Sequence, residues 1–295
     1  MAKRKESSQQ SYFELDVVKR FENSNASVEE LRTGIWAPIE KFSHNSLILK
    51  NFVENKRKRT IETAWGKVTV SGNILTQAHR DLIDCVLAVS SKKKELANGD
   101  VAVYFQRSDA LRKYGDNSSK NHKWLDDKLN EIQNSSIELR DKKGDFYRFN
   151  ILKLTAYSEK EGSFGIVFTS EYRQYIENQL TIGYLAELDK LLAINSALLK
   201  SIIRFFWTHK DAWRMDIDHL LKTVGYPVDS NQMTRLAKRE IESNLDLLEQ
   251  FGISSATEEE MIVGKRRKVK RLLYRKIEDS KITFIAPSSN PLSLS

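Results

Sequence analysis

Polar and apolar positions along the chain alternate in short segments of two kinds, and the same order of segments occurs twice. Lys67–Val70 alternates between Gly66 and Gly72, the period-two pattern of a half-buried strand. Beyond Thr76, a residue suited to cap a helix, Leu82, Ile83, Val86 and Leu87 recur at helical spacing. A β-like run at Val101–Phe105 precedes a helix that opens at Ser108-Asp109 and closes at Gly115. The next helix, starting at Ser118 or Ser119, carries Trp124, Leu125, Leu129 and Ile132 on one face. Two strands follow, Ser136–Arg140 and Phe146–Lys153, joined by Asp141-Lys142-Lys143-Gly144-Asp145, a glycine-containing turn that signals a hairpin. Phe164–Phe168 adds a further strand.

The second half runs the same way. A long apolar helix is expected over residues 182–208, then a short strand at Trp213–Met215 and a helix from Asp216 to about Gly225. Asp229 or Ser230 caps a helix whose apolar positions are Leu236, Ile241, Leu245 and Leu248, ended by Gly252. After a polar stretch, Arg271–Ile277 and Lys281–Ile285 read as a hairpin turning at Glu278-Asp279-Ser280. Phe105–Gly115 aligns with Met215–Gly225: a cap, an apolar turn, a basic residue and a closing glycine. Helix, short strand, helix, turn, helix and hairpin is the order of a winged helix, a helix-turn-helix with a β-wing. The expected fold class is α+β, with two tandem winged-helix domains at residues 60–180 and 181–290. A partly structured N-terminal extension, residues 1–59, precedes them, its first ten residues reading as a disordered basic tail, and residues 291–295 form a short tail.

Charge gives this architecture a partner. The 295 residues carry a net charge of +8, with an isoelectric point near 9.3, which calls for a polyanion. A membrane is a poor candidate: no stretch approaches the ~18 apolar residues of a span, and Leu198–Trp207 is interrupted by Lys200, Ser201 and Arg204. The start, MAKRKESSQQ, has no apolar core of a secretory signal, and the single cysteine, Cys85, fits a reducing cytoplasm. Double-stranded DNA is the partner that fits both fold and charge.

In a winged helix the third helix enters the major groove and its N-terminal residues reach base edges. Here that helix offers Ser119, Lys120 and Lys123 in the first module and Asn231, Gln232, Arg235, Lys238 and Arg239 in the second. The second set is the better reader, because Asn and Gln pair bidentately with adenine and Arg with guanine. Phosphate contacts are expected at the first turn, Lys142 and Lys143, and along Lys265, Arg266, Arg267, Lys268, Lys270 and Arg271, a run without an acid as far as Lys276. Lys56–Arg59 is a weaker run of the same kind. Catalytic signatures are missing: there is no phosphate-binding loop and no His-x-His pair, and the five histidines lie far apart in the chain. Neither an enzyme activity nor a cofactor or metal is expected.

Particular residues then point to a family. A basic run precedes a strand, a glycine and a Leu-Thr-Gln helix start (Lys56–Arg59, Val68–Val70, Gly72, Leu75-Thr76-Gln77). Trp124-Leu125 lies in the third helix, and an aromatic cluster, Phe205-Phe206-Trp207, in the later long helix. With Leu220, Gly225, Leu247-Leu248 and Gly252, this pattern resembles plasmid replication initiators of the paired winged-helix type, nearest to the TrfA-like group, from Phe42 to about Ile285. The resemblance implies binding to origin repeats (iterons), origin opening, recruitment of the host replication initiator and replicative helicase, association with plasmid DNA in a bacterial cytoplasm, and a monomer–homodimer balance. It also implies, for some members, sliding-clamp binding, for which Gln179-Leu180 and Pro291–Leu294 are the available segments. A winged-helix transcriptional regulator acting at a promoter is the alternative.

Overall fold

The computed structural model describes residues 25–39, 47–115, 121–158, 163–228, 230–262 and 265–287. A two-residue strand, β1 (Ala26–Ser27), leads into α1 (Val28–Arg32), whose first turn is closed by the Ser27 hydroxyl accepting from the Glu30 amide at 2.9 Å. The next helix, α2 (Leu47–Glu54), turns through Lys56 and Arg57, both at positive φ, into β2 (Lys58–Glu62) and β3 (Gly66–Ser71). Thr76 starts α3 (Gln77–Val89), its amide donating to His79 Nδ1 at 2.9 Å. After β4 (Lys92–Glu95) and β5 (Val101–Gln106) comes α4 (Arg107–Tyr114), stopped by Gly115 at φ +109°, and then α5 (His122–Gln133). Strands β6 (Ser136–Asp141), β7 (Phe146–Asn150), β8 (Leu152–Ser158) and β9 (Ser163–Phe168) and helix α6 (Ser170–Glu177) complete the first half.

The second half opens with β10 (Thr181–Gly183), a 3₁₀ turn at Leu185–Glu187, α7 (Leu188–Leu192) and α8 (Ala197–Trp207). Then follow β11 (Trp213–Asp216), α9 (Ile217–Thr223), α10 (Asn231–Ser243), α11 (Leu245–Glu249), β12 (Ile253–Ile262), β13 (Lys265–Tyr274) and β14 (Thr283–Ile285). The single helix expected over 182–208 is therefore broken. The Ser196 hydroxyl accepts from the Leu199 amide at 3.1 Å and begins a new helix, while β10 upstream pairs with other strands.

The sheet pairings show both winged helices and correct the position of both wings. In the second module β11 pairs antiparallel with β13, and β13 with β12. In the first, β5 pairs antiparallel with β9, and β9 with β8. The pairings match strand for strand, so the first wing is the β8–β9 hairpin. The expected strand Phe146–Lys153 splits at Ile151: β7 ends in one sheet and β8 begins in another. Lys142 and Lys143 therefore lie on the turn of an inserted hairpin, β6–β7, which belongs to a separate sheet of order β2-β3-β6-β7. The second wing spans 253–274 rather than 271–285, and β14 instead pairs with β10. Residues 257–260, Thr-Glu-Glu-Glu, have no apolar alternation, and in the register of the hairpin Glu259 lies opposite Lys268, an acid facing a base across the ladder.

Two large apolar cores form, one per module, beside a small cluster of Ala37, Phe52 and Ile74, and the segment at 26–36 enters both large ones. Ile35 and Trp36 pack in the first core, while Ala26, Val28 and Leu31 pack in the second. A small sheet, β1-β10-β14, gathers the start of the described chain, the segment linking the modules and the segment after the second wing.

Between the modules lies a buried polar cluster. Arg204, on α8, donates to Asp81 Oδ1 at 2.6 Å, Asp84 Oδ2 at 2.8 Å and Gln77 Oε1 at 2.6 Å, all on α3. Lys200 reaches Asp81 Oδ2 at 2.7 Å. Arg80 donates to Asp84 at 2.5 Å, to Glu30 at 3.0 Å and to the Asn25 carbonyl. Tyr184 donates to Asp84 at 2.9 Å, Tyr172 to Glu30, and the Trp36 indole to Glu30 at 2.8 Å. Three cations (Arg80, Lys200, Arg204) face three carboxylates (Glu30, Asp81, Asp84), so the cluster is neutral. Burial alone would raise the Asp84 carboxyl, but Arg80 and Arg204 beside it hold it below its ordinary value.

Two outcomes follow from this packing. Trp36→Ala removes a side chain that is 2% exposed and should destabilise the chain by about 3–5 kcal/mol in a urea melt, the cost of a core residue. Arg204→Met leaves the Asp81 and Asp84 carboxylates short of a partner and should cost about 3–5 kcal/mol. Lys200→Met should cost less, because Asp81 keeps Arg204; equal losses in the two variants would contradict this ranking.

Candidate nucleic-acid interface

The second module presents its third helix with a clean division of faces. Ser230 caps α10, its hydroxyl accepting from the Met233 amide at 3.2 Å. Ala237 and Ile241 face the core. Asn231, Gln232, Arg235 and Arg239 are exposed, and none forms a side-chain hydrogen bond or ion pair with another described residue. Lys238 turns the other way and pairs with Asp218 of α9 at 2.7 Å, fixing the helix-turn-helix. Glu242, one turn further on, takes Lys270 of β13 at 2.9 Å and ties the wing to the helix. Leu236, assigned to the apolar face by its spacing, is 53% exposed and stands on the outward face with Arg235 and Arg239. Its true core neighbour is Ala237, whose small side chain carries little hydrophobic signal in the sequence.

The third helix of the first module is weaker chemically. Ser119 and Lys120 lie outside the described residues. Lys123 is exposed, but Asp127 shares the exposed side of the helix with it. Asp126 pairs with Arg107 at 3.1 Å, and the Arg107 guanidinium lies 3.9 Å from the Tyr157 ring centroid, joining helix to wing. Lys128 and the His79 ring both engage Glu131, at 2.7 and 2.6 Å. Burial would raise the Glu131 carboxyl, yet these two partners bring it down to about 2.

The basic residues outside the third helices differ in freedom. Lys142 and Lys143 are exposed on a turn built by Asp141, whose Oδ1 accepts from the amides of Lys143, Gly144 and Asp145 at 2.8–2.9 Å. Lys265, Arg266 and Arg267 occupy β13 opposite Ile262, Met261 and Glu260. Lys268 is exposed. Lys270 is held by Glu242, and Arg271 by Glu258, which also takes Arg214 at 3.1 Å. The run without acids therefore meets acids across the ladder. The weaker run is structural at Arg59: it donates to the Gly34 carbonyl at 2.7 Å and the Gly225 carbonyl at 3.0 Å, and burial lowers it to about 10. Arg57 is tied to the Gly72 carbonyl at 2.9 Å.

Leu180 packs against the second core, and its carbonyl accepts from the Val28 amide at 2.8 Å; residues 291–294 lie outside the described residues. Among the described residues no group of three or more His, Cys, Asp or Glu side chains is placed to hold a metal ion, and no helix is long and apolar enough to cross a membrane.

Residues 67–201 match the family described as Initiator Replication protein, WH1. No curated protein matches the chain. A solved structure of domains 2 and 3 of RctB aligns with a TM-score of 0.54 and 11% identity, over 86% of this chain and 100% of that one. The Pi initiator protein, solved in complex with iteron DNA, aligns with a TM-score of 0.48 and 17% identity, over 68% of this chain and 91% of that one. The RctB likeness supports the architecture of two successive winged helices. The residues similar to the initiator replication protein WH1 family, 67–201, run from the first sheet through the whole first winged helix into α8.

Proposed function

We propose that this protein is a plasmid replication initiator that binds repeated origin sequences in double-stranded DNA and acts by binding rather than by catalysis. The observation that carries the reading is the exposed polar face of α10, Asn231, Gln232, Arg235 and Arg239, which has no side-chain partner among the described residues, at the base-reading position of a winged helix. The family of residues 67–201 supports replication over promoter control as the context. In this reading α10 inserts into the major groove. Arg235 and Arg239 address guanine O6 and N7, and Asn231 and Gln232 address adenine N6 and N7, each worth about 1–3 kcal/mol of discrimination. On α5, Lys123 is the described candidate, with Ser119 and Lys120 just before the helix, about one helical turn (~34 Å) along the duplex. Lys268 and the outer half of β13, Lys265–Arg267, lie along the phosphates, as Lys142 and Lys143 would on the inserted turn. Lys238, Lys270 and Arg271 hold α10 and the wing in place through their carboxylate partners. Bound repeats would then bring adjacent DNA to the point of opening, where the host initiator and helicase join; clamp binding and homodimer formation are further partner expectations of the same family resemblance.

The contact assignment is tested by comparing a helix variant with a wing variant. Arg235→Ala should weaken binding to the cognate repeat by about 10–100-fold and relax base preference at one position. Arg267→Ala should weaken all sequences alike and reduce the slope of log K against log salt by about one. Equal, sequence-independent losses in both would overturn the helix and wing roles. The replication role is tested by a plasmid whose only candidate origin is this gene and its flanking DNA. Stable maintenance that disappears with Arg235→Ala is expected, and failure of the wild-type gene to sustain the plasmid would favour the promoter-binding alternative.

A further inference from the structure

Amphipathic helices with one buried side do not leave a leucine 53% exposed without cost, since burying such a side chain is worth about 1.5–3 kcal/mol. The position of Leu236 on α10 says what it faces. At 3.6 residues per turn, Gln232 and Leu236 are neighbours at i and i+4, as are Arg235 and Arg239. Gln232–Arg235 and Leu236–Arg239 are neighbours at i and i+3. The four side chains form a contiguous diamond on the outward face: three long hydrogen-bonding groups and one branched alkyl group. A protein-docking patch would gather several large apolar groups, as in helix-in-groove recognition. Here a single apolar group stands among donors that match base edges. In the major groove one base-edge group is apolar, the thymine 5-methyl.

From this arrangement we infer that Leu236 is a specificity-determining residue that packs on the 5-methyl of a thymine, within the same base steps that Gln232, Arg235 and Arg239 read. The inference rests on the DNA-reading assignment of α10. It adds that recognition by this helix includes an apolar determinant, so its site contains a thymine whose methyl group, and not its hydrogen-bonding edge, is read. Desolvating one methyl group is worth about fourfold in affinity.

The test starts from a duplex enriched by the full-length protein from a random-sequence pool. Each thymine of that duplex is replaced in turn by deoxyuridine, which removes the methyl and leaves every hydrogen-bonding group in place. The wild type should lose about fourfold at one or two positions and little elsewhere. Leu236→Ala, which leaves helix propensity and the buried face intact, should bind the parent duplex about fourfold less tightly or worse. It should also be indifferent to deoxyuridine at those same positions and keep the wild-type salt slope. Leu236→Met should restore most of the methyl sensitivity. A wild type indifferent to every deoxyuridine substitution, or a Leu236→Ala variant with the full wild-type penalty, overturns the inference while leaving the reading of α10 intact. A pool that enriches no sequence overturns that reading itself, and this inference with it.

Discussion

The placement of one third helix relative to the other rests in large part on a guanidinium, that of Arg204. It leaves the first helix of the second module, α8, and ends among Gln77, Asp81 and Asp84 of α3, the first helix of the first module. Apolar side chains would bury similar area there, and replacing buried ion pairs by well-packed apolar groups is often neutral or stabilising. What an apolar contact lacks is direction. A planar fork of donors engaging fixed acceptors at 2.6–2.8 Å sets the angle between two helices as well as their distance. In the proposed function the third helices address successive turns of one duplex, and that angle then matters. When one module is seated, the second is held at high local concentration over its own groove, but only if the geometry matches the span.

The segment at 25–37 extends the same logic. Glu30 receives Arg80, Tyr172 and the Trp36 indole, and Asn25 receives Arg80 and donates to Asp84, so the carboxylate cluster is complete only with this segment in place. Gly34, at φ +63°, lies against the Val224–Gly225 backbone so closely that a Cβ there would come within 3.0 Å of it. Arg59 then bridges the carbonyls of Gly34 and Gly225. Since Gly225 closes α9 just ahead of α10, the third helix of the second module is braced from the first module's sheet.

Periodicity made the helices and the tandem order legible, because α3, α5, α8 and α10 each carry one apolar stripe over a single core. What stayed hidden has physical causes. The long-range polar cluster could not be read from the sequence, since Arg80, Lys200 and Arg204 are indistinguishable there from solvated charges; only the fold brings them to carboxylates as far as 123 positions away. The strand β12 was hidden because Thr257, Glu258 and Glu259 give it no apolar alternation. The first wing was mistaken for the β6–β7 hairpin because both hairpins have turn chemistry, and only the pairing of β5 with β9 separates the wing from the insertion. At the candidate interface the exposure of the polar residues of α10 was legible from type and position. Leu236 was not, because leucine at helical spacing reads as core whether or not a core lies beneath it.

Charge placement also bears on which module would lead in the proposed function. The buried cluster is neutral and contributes nothing to the net charge of +8, and the effect of the other cations depends on which are already engaged. On α5, Lys123 shares its face with Asp127, and Lys128 is held by Glu131, a carboxylate brought down to about 2 and therefore ionised throughout the neutral range. Around α10, Asp218 takes Lys238 and Glu242 takes Lys270, so these two carboxylates are engaged by cations other than Arg235 and Arg239. An arginine with a carboxylate partner must give up that partner before it can bind a base, whereas an unpaired one gives up only water. In the proposed function the acids around α10 would thus favour its reading face by engaging other cations, and the first module, whose third helix lacks this arrangement, would supply position more than sequence.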